Sequence, residues 1–155
     1  GELLDADSRA LVEEFARQST SDLLRGIEAF SDRPEIDADR VALVGRGVGG
    51  AACAWARPFA TRLRGIALLG DVGIFADSEL DPGRALYASV GEGLGDGSNP
   101  SLLVIESAEG STPPEATRAL FETASEPKRL ESASAPDGHL ADALQSFLDE
   151  TLRGA

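Results

Sequence analysis

Six consecutive residues, Gly45-Arg46-Gly47-Val48-Gly49-Gly50, are the first place where this chain could do chemistry. Glycines spaced G-x-G-x-x-G between a strand and a helix let backbone approach a pyrophosphate closely at the helix N-terminus. That dinucleotide reading also asks for an acidic residue about 20 positions on, which binds the ribose. Asp71, 26 positions after Gly45, is the candidate. Two other reactive side chains occur once each, His139 in the turn Ala135-Pro136-Asp137-Gly138-His139 and Cys53. One histidine and one cysteine exclude a Cys/His zinc site and an internal disulfide. Asp71, Asp77, Glu79 and Asp81 offer oxygen ligands for calcium, but no loop signature accompanies them.

The elements that must position these residues alternate. Leu11, Phe15, Ser19, Leu23, Ile27 and Phe30 lie on one helical stripe, which predicts a helix over 8–31, with a possible break at Gln18–Asp22 where Asp22 could cap a second helix. Val41-Ala42-Leu43-Val44 is a short, fully apolar run, the pattern of a parallel strand buried on both faces. Ala51–Ala56 reads as the helix after the glycines. Ile66–Leu69 and Leu102–Ile105 repeat the strand pattern, and Arg129–Ser134 is a weaker fourth. Helices are expected from Pro113-Pro114-Glu115 and over Leu140–Leu152. Residues 71–100, rich in glycine and aspartate, read as an irregular excursion. The expectation is one α/β domain over 1–155: a three-layer parallel sheet of about four strands flanked by helices.

The segment from Arg33-Pro34-Glu35-Ile36-Asp37 through Arg40 and Val41–Val44 to Gly45 resembles the α/β-hydrolase superfamily, and within it dienelactone-hydrolase-like and esterase-like members. Four features carry the resemblance in order: that segment, Arg64–Leu69, Leu102–Ile105 with Pro113-Pro114-Glu115, and Glu126–Leu130 with Gly138-His139. It spans roughly residues 8–153 and corresponds to the family's C-terminal half. The resemblance implies a nucleophile elbow at Gly45–Gly49, an acid at Glu109, a base at His139 and one oxyanion N–H from Val48. The nucleophile position falls on Gly47, which has no side chain. Acyl transfer needs an oxygen or sulfur there. Neither Arg46 nor Val48 supplies one, and Cys53 reads as a small buried hydrophobe. The family's second oxyanion N–H follows an earlier strand, and none is legible before Val41.

These readings lead to a degenerate, non-catalytic domain that acts as a subunit or interaction module. The alternatives are an active serine hydrolase or esterase whose nucleophile is altered or whose missing machinery lies on another chain, and a dinucleotide-binding domain using Gly45–Gly50. No cofactor or metal is expected in the first reading. An unpaired edge beside Val41–Val44 would favour a protein partner or self-association. The 155 residues carry a net charge of −13, from 27 acidic against 14 basic side chains. That balance argues against nucleic acid and anionic membrane surfaces as partners. With no apolar run near the ~20 residues needed to cross a bilayer, the expectation is a soluble, cytoplasmic chain. The lack of methionine suggests a processed or truncated polypeptide.

Overall fold

The computed structural model describes residues 6–60, 62–70, 100–106, 114–132 and 138–153. Helix α1, Ala6–Ser31, is continuous through 26 residues. The expected break at Gln18–Asp22 is absent. Gln18 Nε2 donates to Asp22 Oδ1 at 2.8 Å, and Thr20 Oγ1 donates to the Ala16 carbonyl at 2.9 Å. Both hydroxyl and carboxylate are thereby used along the helix, so Asp22 does not cap a new one. The apolar stripe is also shifted. Ala16, Ile27 and Ser31 are buried, with Leu23 and Leu24 half-buried beside them, whereas Leu11, Phe15 and Phe30 face solvent.

Four strands follow: β1, Val41–Arg46; β2, Leu63–Leu69; β3, Ser101–Glu106; and β4, Lys128–Ser132. They pair in parallel in the order β1-β2-β3-β4. Parallel neighbours need crossovers, which place helices on the sheet faces. Helix α2, Val48–Ala56, starts directly after Gly47. A short 3-10 turn, Arg57–Phe59, contains Pro58 and ends that helical run. Helix α3, Pro114–Thr123, and helix α4, Gly138–Arg153, complete the described helices.

Alternation along the strands sorts the core into two layers. On one face Val41, Ile66, Leu68, Leu102 and Val104 pack with Ile27 of α1, Cys53 and Ala54 of α2 and Leu120 of α3. On the other, Ala67, Leu103 and Ile105 pack with Ala143 and Phe147 of α4. The three-layer α/β arrangement expected from the sequence is therefore present. One residue departs from its expectation. Val44, read as part of a run buried on both faces, is 46% exposed, on a strand that stands at one end of the described order.

The chain entering β1 is clamped from two sides. Arg64 Nε of β2 donates to the Asp39 carbonyl at 2.8 Å, and Arg40 Nε donates to the Leu152 carbonyl of α4 at 2.7 Å. These contacts fix the start of β1, and through it the bend at the strand's far end.

Candidate active site

Parallel pairing brings four strand ends to one side of the sheet. Register aligns Arg46 with Leu69, Leu69 with Ile105, and Glu106 with Ser132. The Gly70 N–H extends the β2–β3 pairing by donating to the Ile105 carbonyl at 2.9 Å. This is the end of a parallel sheet where ligands of open α/β folds are bound.

The sharpest feature there is Gly47, at φ 55° and ψ −125° between the last residue of β1 and the first of α2. Its carbonyl accepts from the Ala51 N–H at 3.0 Å, so the first helical turn begins on the glycine itself. The conformation is one that L side chains adopt only under strain, and it is the kind of strand-to-helix turn that lifts a nucleophile above a sheet. A Cβ built on Gly47 meets nothing within 4 Å among the described residues. Gly47 is thus demanded by backbone conformation and not by lack of room.

Gly45, two residues earlier, has the opposite reason. A Cβ there would lie 2.6 Å from the Gly49 carbonyl, 2.7 Å from Cys53 Sγ and 2.8 Å from Gly50 Cα. Close packing of α2 onto β1 accounts for this glycine, which was also a candidate for pyrophosphate approach. Asp71, the ribose-binding candidate of the same reading, lies outside the described residues.

The remaining expected site residues separate. Val48 opens α2 and its side chain is exposed; its N–H has no intrahelical acceptor, as for any first-turn residue. His139 stands exposed in the first turn of α4 and makes no hydrogen bond or ion pair among the described residues. Glu109 lies outside the described residues, as do Asp77, Glu79 and Asp81. Cys53 is buried, and burial pushes its thiol from 9.0 up to about 11. A thiol held protonated in the core is no nucleophile at neutral pH.

One acidic side chain at this end was missed by sequence reasoning. Glu106 closes β3 and is only 5% exposed. Arg118, in α3, grips it with two of its three nitrogens: Nε to Oε1 at 2.5 Å and Nη2 to Oε2 at 3.2 Å. The hydrogen bond to Glu106, then its charge, holds the Arg118 guanidinium above its ordinary pKa. The signal available in the sequence was a carboxylate placed directly after the apolar run Leu102–Ile105. From strand spacing, β3 lies about 10 Å from β1. Glu106 is committed to Arg118, a fork geometry that leaves it a structural pin of the strand end.

Two cavities are lined by described residues. One of about 440 Å³ is lined by Ala16, Thr20, Leu24, Trp55 and Phe59, and a neighbour of about 280 Å³ by Leu24, Ile27, Phe59 and Arg62. Both lie along α1. No group of three metal-ligating side chains occurs among the described residues, and no helix among them is long and apolar enough to cross a membrane.

Comparison with solved structures places this arrangement. Matches include the α/β hydrolase GrgF from Penicillium sp. sh18, with a TM-score of 0.65 and 16% sequence identity over 89% of this chain and 73% of that one. The fold is α/β-hydrolase-like. No family model and no curated protein matches the chain.

Proposed function

We propose that this chain is a degenerate α/β-hydrolase-like domain that acts by binding and not by acyl transfer. In this reading the four strands answer to the C-terminal half of a hydrolase sheet, Gly47 stands at the nucleophile position, and Glu109 and His139 are the remnant acid and base. The supporting observation is the bend at Gly47. Its backbone has the strained geometry that an elbow gives its nucleophile, yet no side-chain atom is there to attack a carbonyl. Around it, Arg46 is a cation, Val48 is inert, and the Cys53 thiol is buried. In this reading the Val48 N–H, which has no intrahelical acceptor, answers to part of an oxyanion hole without the group that uses it.

Hydrolysis of a p-nitrophenyl ester tests this directly. The wild-type chain is expected to show no turnover above the buffer rate, and His139→Ala to change nothing. Gly47→Ser, which has room for its side chain, reports whether the corner lacks only the hydroxyl. Wild-type turnover abolished by His139→Ala would overturn the proposal in favour of an active hydrolase. Loss of micromolar NAD or FAD binding in Gly47→Val would instead favour the dinucleotide reading.

A further inference from the structure

The two edges of the sheet are built differently. β4 reads Lys128-Arg129-Leu130-Glu131-Ser132, and Arg129 is tied to Glu131 at 3.5 Å and to Glu150 at 3.2 Å. Charged side chains of this kind make a poor template for another strand. β1 reads Val41-Ala42-Leu43-Val44-Gly45 with no charge before Arg46. Among the described residues no strand pairs with its outer edge.

The same strand also carries an uncovered face. Val41 and Leu43 pack toward α1 and α2, so alternation turns Ala42, Val44 and Arg46 to the side of α4. Helix α4 packs over Ala67, Leu103 and Ile105 of β2 and β3, and is tied to the start of β1 through Arg40 and the Leu152 carbonyl. Val44 is left half-exposed. Arg46, two residues on, is exposed and makes no ion pair or hydrogen bond among the described residues. A cation without a partner among the described residues is notable in a chain with 27 acidic and 14 basic residues. Backbone left open by the described strands therefore lies beside an apolar residue and a cation spaced two apart on one face.

We infer that the outer edge of β1 receives an extended segment of a partner polypeptide, whose same-face residues read apolar-x-carboxylate against Val44-x-Arg46. This rests on the chain acting by binding, and names what it binds. Main-chain hydrogen bonds supply the affinity, and the cross-strand pairs supply the selection. A second copy is the poorer occupant. It brings its own charge of −13, and its β1 carries an arginine where the edge calls for an acid.

The test uses fluorescein-labelled acetyl-Thr-Val-Thr-Val-Thr-Asp-amide and its lysine-ended twin, titrated with the full chain by anisotropy at low salt. The aspartate peptide is expected to bind about threefold more tightly, the size of a cross-strand charge pair. Arg46→Glu should reverse that order, and Val44→Lys should weaken both peptides; circular dichroism checks that each variant keeps its fold. Failure of both peptides to bind at millimolar concentration overturns the assignment, as does an order unchanged by Arg46→Glu. A concentration-dependent dimer in sedimentation, lost in Val44→Lys, also overturns it by seating a second copy there. Ester turnover by the wild type overturns the non-catalytic reading whatever the peptides do. A failed titration without turnover overturns only the edge assignment.

Discussion

The two ends of the sheet are joined by one short stretch of chain and are built on opposite principles. At the strand C-termini, α2 begins on Gly47, where a Cβ would meet no described atom within 4 Å. Ten residues later, at the N-terminal end of the sheet, the same helical run delivers Arg57, which is fully buried. Its Nη2 donates to the Pro100 carbonyl at 3.0 Å and to the Ser125 carbonyl at 3.1 Å, and its Nη1 to Ser125 Oγ at 3.0 Å. These groups precede β3 and β4, so one guanidinium ties the entries of two strands to the exit of a helix. Burial lowers the Arg57 pKa to about 10, while the charge of Glu126 opposes that fall. One end holds a buried cation for stability; the other holds strained backbone and exposure. That contrast separates scaffold from candidate site.

If the contrast is right, Arg57 should be the costliest side chain to lose. Arg57→Met removes three hydrogen bonds and leaves Pro100 and Ser125 acceptors buried, an expected loss of about 3 kcal/mol in urea unfolding. Arg57→Lys should recover little, because an ammonium cannot span the three acceptors with a planar fork. Near wild-type stability for either variant would show that the N-terminal end is not held in this way. The second effect lies at the other end of α2. Gly45→Ala drives a methyl into the Gly49 carbonyl and Cys53, at about 2 kcal/mol for overpacking. Gly47→Ala meets no atom and pays only for its backbone conformation, about 1 kcal/mol. Equal losses at the two positions would erase the distinction between a glycine kept for space and one kept for shape.

What the sequence made legible follows from how local each signal was. The runs Val41–Val44, Ile66–Leu69 and Leu102–Ile105 announced strands because parallel strands bury apolar side chains contiguously. The same reasoning misjudged Val44, since coverage of a strand face depends on where a distant helix lands, and α4 lands on β2 and β3. Leu11 and Phe15 were misread for a similar reason: periodicity defines a stripe, but only the partner helix decides how far along it packing extends. The bend at Gly47 was legible because glycine spacing is a backbone signal. Glu106 was not, because its meaning depends on Arg118 arriving from α3, and Arg57 passed unnoticed beside Pro58 because a buried guanidinium has no sequence signature of its own.

The smallest effect concerns Cys53, which sits under Gly45 midway between the two ends. Its thiol loses its proton near 9.0 when ordinarily solvated and near 11 when buried. The unfolded chain therefore releases that proton first. Below pH 9 both states keep it and stability is independent of this group. As pH climbs from 9 toward 11 the unfolded state gains from ionisation while the folded state does not, so stability falls. By pH 9.5 the wild type should lose roughly 0.8 kcal/mol relative to its own value at pH 7, beyond any change seen in Cys53→Ala. Urea midpoints of the two chains at pH 7 and 9.5 supply the comparison, each chain serving as its own reference for other titrating groups. A parallel shift in both would mean that the thiol titrates normally in the folded state, and that α2 is not packed tightly against β1 beneath the bend.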